Sequence, residues 1–323
     1  MSKGDNMPNT YIIGHQKPDT DSVVAAMALE YLYKQRDCFA YKNPVAVTAD
    51  PLNPETTYLF EKFGVTAPKQ LKAEDIKADD KVVLVDHNEE SQRLEGINPE
   101  QIVEIVDHHK ANINFSQPIY ITFKTWGCSA TVVYYMMKHY ADSPVVPDKT
   151  LAALMLAAIL SDTVGFKSAT STKKDKEIAQ ELAALADIKD TDAFTLEIFK
   201  AKSNVGDLSD EEIVKNDYKI FEFAKKTFIG QVETVDQEAI LANRKDSLLE
   251  AMKKVKANEG VEILFLALTD ILKINTKLLI LGDEEKAVAE KAFNGKVEDS
   301  ILDIGPKLSR KKEIAPAVEK ALN

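Results

Sequence analysis

The sequence is poor in cysteine: Cys38 and Cys128 lie far apart and outside any C-x-x-C pair. This excludes a disulfide framework and a thiolate zinc module, and it suits a reducing compartment. No run is apolar enough to span a membrane. The longest, Leu151–Leu160, is about half the ~20 residues that a bilayer requires, and it reads as a buried helix. Met1–Thr10 is polar and carries no signal-peptide core, so a cytoplasmic protein with no membrane partner is expected. Positive charge is also short: 41 Lys and Arg face 52 Asp and Glu, a formal net charge of −11. Such a chain repels a phosphate backbone, and no nucleic-acid partner is expected. A small anion can still bind where cations are concentrated, and bound metal ions are the simplest such cations. Internal repeats and low-complexity segments are missing too. At 323 residues the chain is too long for one ordinary core, which points to two domains.

What is present is an alternation of short apolar runs and helical patterns. Tyr11–Ile13, Pro44–Thr48, Val82–Val85, Ile102–Val106 and Ile119–Phe123 read as strands, several of them continuously apolar as in a sheet covered on both faces. Ser22–Arg36, Ser129–Tyr140, Lys149–Leu160, Lys173–Ala186 and Asp190–Ala201 read as helices. The pattern predicts an α/β fold, with a mostly parallel sheet flanked by helices in the N-terminal domain. The polar stretch Lys202–Glu212 marks the junction, with domains at 1–201 and 209–323 and a linker at 202–208. The smaller C-terminal domain is again α/β. Its strands are expected at Phe228–Val235, Val261–Leu268 and Lys277–Leu281. A long helix is expected at Gln237–Ala257 and a last one after the basic cluster Arg310–Lys312.

The chemistry sits where these elements end. G-H-Q-K-P-D-T-D-S, Gly14–Ser22, follows the first strand and places His15, Asp19 and Asp21 on a loop at a strand's carboxyl end, where open α/β sheets collect ligands. Pro18 is expected to delay the helix and keep both carboxylates in an extended loop, so that they face two different ions. Asp86-His87-Asn88 follows the third strand, Asp107-His108-His109 the fourth, and Ser161-Asp162-Thr163 the apolar helix. Read singly, each aspartate is a helix cap or a turn former. Read together they are not, because four of the five histidines (15, 87, 108 and 109) fall beside these aspartates, leaving only His139 apart. Mixed imidazole and carboxylate donors suit Mn²⁺, Zn²⁺ or Fe, and this many suggest two ions sharing a carboxylate and a bridging water that ionises near neutral pH. Near the other end, Ser309-Arg310-Lys311-Lys312 is a cationic cluster in an acidic chain. Alone it is a solvated helix cap. Paired with a metal centre, it would grip an anionic substrate from the second domain.

In this order, G-H-Q-K-P-D-T-D-S, V-D-H-N-E, V-D-H-H-K, I-L-S-D-T and S-R-K-K resemble the DHH phosphoesterase superfamily and, more narrowly, manganese-dependent family II inorganic pyrophosphatases. D-x-K-x-F at Asp217–Phe221 fits the same pattern, and the resemblance runs from about Tyr11 to the C-terminus. It implies a DHH domain followed by a DHHA2-like domain. His15, Asp19 and Asp86 would hold one metal. Asp21, Asp86, His108 and Asp162 would hold the second, with Asp86 bridging. His109 would contact the substrate, and Lys219, Arg310 and Lys311 would bind its phosphate oxygens. The implied cofactors are two Mn²⁺ per subunit, with Co²⁺ a substitute, and Mg²⁺ arriving with pyrophosphate. The implied reaction is hydrolysis to two orthophosphates by a metal-bridging hydroxide, in a homodimer joined through the N-terminal domain. Ser129 stands where threonine is more usual and Trp126 is unusual, but neither is expected to touch a ligand. The alternative is a DHH-superfamily phosphodiesterase or exopolyphosphatase. The nucleotide-cleaving relatives usually carry G-G-G-H in the second domain, and this sequence has no Gly-Gly pair. A non-catalytic sensor would be expected to lose a ligand, and none is missing.

Overall fold

Short runs rich in valine and isoleucine without polar alternation favour strands of a sheet covered on both faces. The computed structural model describes residues 7–35, 41–140, 143–202 and 208–323, and within it the chain forms two compact units, Met1–Ala201 and Lys202–Asn323. Cys38 and residues 203–207 of the expected linker lie outside the described residues, as does Arg36.

The first unit is built on strands β1 (Thr10–Ile13), β2 (Pro44–Thr48), β3 (Lys69–Gln70), β4 (Lys81–Val85), β5 (Ile102–Asp107) and β6 (Tyr120–Phe123). Their order is β3-β2-β1-β4-β5-β6, and every neighbouring pair is parallel. The helices are α1 (Thr20–Gln35), α2 (Pro54–Phe63), α3 (Ser129–His139), α4 (Lys149–Asp162), α5 (Lys173–Ala186) and α6 (Thr191–Lys202). One core joins α1, α3, α4 and α5 to the sheet, and every residue of α4 from Leu151 to Ser161 is buried, as expected of its apolar run. The other face packs Ile13, Leu84 and Ile105 against Phe115 and Phe123.

The second unit comprises α7 (Asp210–Val214), β7 (Asp217–Glu222), β8 (Lys226–Thr234), α8 (Gln237–Glu259), β9 (Ile263–Asp270), β10 (Asn275–Ile280), α9 (Asp283–Phe293), β11 (Ile301–Gly305) and α10 (Ala315–Leu322). Its sheet runs β11-β10-β9-β8-β7 and is antiparallel except at β8–β9, which α8 connects. Arg310–Ile314 forms a π-turn leading into α10. Among the described residues, no helix is long and apolar enough to cross a membrane.

Three expectations need correction. Asp21 is not in an extended loop: α1 begins at Thr20, and Asp19 caps it by accepting from Ser22 N at 2.9 Å. Pro18 delays the helix by less than the sequence suggested. The end of the polar stretch is α7, started by the Ser209–Glu212 capping box. The pattern also passed over α2, although Asn53 caps it, Pro54 opens it and Gly64 closes it in the left-handed conformation at φ 64°.

Candidate metal centre

The strand order reverses between β1 and β4, and open α/β sheets leave a crevice at the carboxyl ends of such a switch point. β1 pairs with β4 and β4 with β5, so Gly14-His15, Asp86 and Asp107-His108 emerge side by side. Asp86 sits at φ 62°, a left-handed conformation that few residues other than glycine, asparagine and aspartate adopt. Its amide still donates to Val106 O at 3.0 Å, so the ladder continues while the carboxylate turns into the crevice. Gly14 is required for close approach: a Cβ there would fall 1.8 Å from Ser22 Oγ, the acceptor for His15 N.

The structure brings the six expected ligands together. His15 Nε2 is 3.6 Å from Asp86 Oδ2 and 3.7 Å from Asp19 Oδ2. His108 Nε2 is 3.3 Å from the other Asp86 oxygen, Oδ1, and 3.7 Å from Asp162 Oδ2. Ligand atoms of Asp21 and Asp162 lie within 4.8 Å of each other. Asp86 therefore faces one imidazole–carboxylate group with each oxygen. The ring orientations follow from carbonyls, which only accept: His15 Nδ1 donates to Gln16 O at 2.7 Å and His108 Nδ1 to Trp126 O at 2.9 Å. Each ring then presents Nε2 to the cluster, as metal-ligating histidines do.

The electrostatics call for a cation. Asp86 is 1% exposed, and burial, followed by Asp21, Asp19 and Asp162, pushes its carboxyl well above the usual range. A pair of like charges ~4 Å apart repels by about 4 kcal/mol at an effective dielectric of 20, so the cluster cannot stay fully ionised on its own. Burial opposes protonation of His15, but Asp19, the Gln16 carbonyl and Asp21 together outweigh it and raise the ring. Most telling, His108 Nε2 is buried and has no hydrogen-bond partner among the described residues. A metal would satisfy that atom and neutralise the carboxylates. The nitrogen and oxygen donors fit Mn²⁺ among others. The sequence pattern gave no sign of one further neighbour, Cys128, whose Sγ lies within 4.8 Å of Asp21 and Asp162 ligand atoms. In the metal-free fold, burial, with Asp21 and Asp162, pushes that thiol well up.

His109 is different. Its side chain is half exposed, and its Nδ1 bonds Asp107 Oδ1 at 2.9 Å, although it also approaches Asp86 at 3.8 Å. That hydrogen bond raises its pKa, which favours an imidazolium facing solvent or an anion. Asp107 is fully buried and also accepts from His108 N and Asn88 Nδ2. Burial opposes its charge, but these partners hold it below the usual range. His87 is fully buried, and burial lowers its pKa to about 4, so it stays neutral.

Two readings of the outer residues fail. Ser129 does touch the implied ligands: its N donates to Asp21 Oδ2 at 2.5 Å and its Oγ to Asp86 Oδ1 at 2.9 Å. Trp126 also does, through its carbonyl on His108. Ala130 N completes the cradle on Asp21 at 2.8 Å. Glu55, buried at the start of α2, was missed with that helix. It accepts from Thr20 Oγ1, between Asp19 and Asp21, and from Ser161 Oγ at 3.0 Å, beside Asp162.

In the second unit, Arg310 is held on β7: its guanidinium donates to Asp217 O at 2.6 Å and to Asp217 Oδ1 at 2.8 Å. Lys219 lies two residues along, on the same strand face as Asp217. Gln231 Nε2 donates to Leu308 O and Thr276 Oγ1 to Lys307 O, both at 2.8 Å, anchoring the segment that leads to Arg310 and Lys311.

Comparison with known proteins gives a consistent pattern. Residues 9–159 match the DHH family, N-terminal domain, and residues 196–321 the DHHA2 domain. The manganese-dependent inorganic pyrophosphatase of Methanocaldococcus jannaschii is 37% identical over 323 residues, covering 97% of this chain and 99% of that one. An Archaeoglobus fulgidus protein with the same name, qualified as probable, is 42% identical over 96% of this chain and 97% of its own. A crystal structure from Methanococcus jannaschii, assigned to family II of the inorganic pyrophosphatases, superposes with a TM-score of 0.62 at 35% identity, over 97% of this chain and 99% of that one.

Proposed function

Because the chain belongs to the manganese-dependent, family II inorganic pyrophosphatases, with a DHH and a DHHA2 domain in chain order, we propose that it hydrolyses pyrophosphate to two orthophosphates at the cluster centred on Asp86. The observation that carries this reading is the division of Asp86 between two groups, Oδ2 toward His15 and Oδ1 toward His108. His15, Asp19 and Asp86 would hold one Mn²⁺, and Asp21, Asp86, His108 and Asp162 the other. When bound, the pair would supply a hydroxide nucleophile near neutral pH and neutralise charge on the phosphates. Co²⁺ substitution and Mg²⁺ brought in with substrate belong to the same reading. His109, charged through Asp107, would meet substrate oxygens from the open side. Lys219, Arg310 and Lys311 would bind the remaining oxygens, Arg310 leaving its exposed Asp217 partner for a phosphate. A phosphate-release assay on Mn²⁺-loaded protein tests the substrate. Pyrophosphate is expected to be the preferred one; faster release from a short oligonucleotide or from polyphosphate would move the protein to the phosphodiesterase or exopolyphosphatase branch.

The division of labour predicts a kinetic split. Arg310→Ala or Lys311→Ala should raise KM roughly ten- to a hundredfold, since one charge-assisted contact is worth about 1.5–3 kcal/mol. Mn²⁺ binding should be unchanged, and loss of metal from either variant would contradict the assignment. Association into a homodimer through the first unit is part of the proposal. β6 is an edge strand whose Tyr120 is 72% and Ile121 45% exposed, an apolar edge that a second copy would cover. Sedimentation should give a dimer that Ile121→Lys weakens, and a wild-type monomer would refute it. A cytoplasmic location, checked by cell fractionation, completes the reading.

A further inference from the structure

Asp175 lies outside every motif of the metal centre, yet it is fully buried and accepts four hydrogen bonds. Two come from Thr172 N and Oγ1, at 2.8 and 2.6 Å, and belong to the capping box that starts α5. A carboxylate at the third position of a helix ordinarily does no more than this. The other two come from far along the chain: Gly127 N at 2.9 Å and Thr131 Oγ1 at 2.7 Å.

The segment they hold touches three of the six ligands. Trp126 O accepts from His108 Nδ1, Ser129 N and Ala130 N donate to Asp21, and Ser129 Oγ donates to Asp86. The segment is also closely packed at Gly127. A Cβ on Gly127 would lie 2.7 Å from Thr163 Cγ2 and 3.0 Å from Asp175 Oδ2, and Thr163 is the residue after Asp162. Residues 126–130 are thus clamped between Asp175 and the end of α4.

We propose that Asp175 is a positioning residue of the metal centre: through Gly127 and Thr131 it fixes the segment that orients His108, Asp21 and Asp86. This rests on the two-metal reading of the site. Partners of this kind tune metal affinity by about ten- to a hundredfold.

The test is the Mn²⁺ dissociation constant, read from the electron paramagnetic resonance of free Mn²⁺, for wild type and four variants. Asp175→Ala should bind Mn²⁺ about ten- to a hundredfold more weakly. Asp175→Asn, which keeps an acceptor oxygen for Gly127 and can donate to the Thr131 hydroxyl, should recover most of the affinity. Thr172→Ala breaks the capping box alone and should bind as wild type does. Gly127→Ala leaves Thr172 and Asp175 themselves unchanged but sets its Cβ against Thr163 and Asp175, and should lose affinity even if Asp175→Ala fails to fold. Wild-type affinity in Asp175→Ala or Gly127→Ala overturns the proposal, as does an equal loss in Thr172→Ala, which would assign the effect to the helix cap. Wild type that binds no Mn²⁺ overturns the metal reading itself, and this inference with it.

Discussion

Asp86→Asn should lower pyrophosphate turnover by about a thousandfold or more, equivalent to ~4 kcal/mol of barrier. Asparagine is the informative substitution because it tolerates the left-handed backbone at φ 62° and nearly preserves side-chain shape. What it removes is the charge shared between the His15 and His108 groups. The same change should leave the metal-free protein as stable as wild type at neutral pH, or more so. Burial and three neighbouring carboxylates make ionised Asp86 unfavourable, and asparagine removes that cost without needing a proton. Loss of activity without loss of metal-free stability separates a ligand from a structural residue. Turnover within tenfold of wild type would remove Asp86 from the centre of the mechanism.

Stripping the metal should abolish turnover, and added Mn²⁺ should restore it and raise Tm. At a thousand times the dissociation constant, binding adds about 4 kcal/mol, or roughly 10 °C for a unit of this size. The increment should grow with pH. In the metal-free fold Asp86 and His15 both have raised pKa values, so the folded state holds more protons at these positions than the unfolded chain. Their contribution to stability is therefore largest at acid pH and is lost as pH rises through the folded values. Mn²⁺ must displace those protons, so its affinity and its stabilising effect rise over the same interval. Melting curves with and without Mn²⁺ at several pH values give the sign directly; an increment that shrinks as pH rises would contradict it.

The residues of the cluster were legible because they are side chains of rare or costly types at the ends of buried strands and of the buried helix α4. Four histidines beside aspartates, after β1, β4 and β5, left few other readings. What supports them was not legible, for physical reasons. Trp126 and Ala130 act through backbone atoms, which no residue pattern reveals. Ser129 looked peripheral because only the fold places α3 beside Asp21 and Asp86. Asp175 carries the signature of a helix cap, and its second role depends on partners more than forty residues away. α2 announced itself through Asn53, Pro54 and Gly64, but its few apolar positions hid it, and Glu55 with it. In the second unit, β7 and β11 were missed as exposed edge strands with mixed polar and apolar residues. Five of the six strands of the larger sheet were legible because they are largely apolar, which is what burial on both faces favours, whereas β3, the exposed pair Lys69-Gln70 at the edge, was missed.

Anomalous diffraction from crystals soaked in Mn²⁺ tests the central claim most directly. Two peaks per chain are expected, one bounded by His15, Asp19 and Asp86 and the other by Asp21, Asp86, His108 and Asp162, with Asp86 reaching both. A single peak, or peaks that leave Asp86 outside their coordination, would contradict a shared two-metal centre.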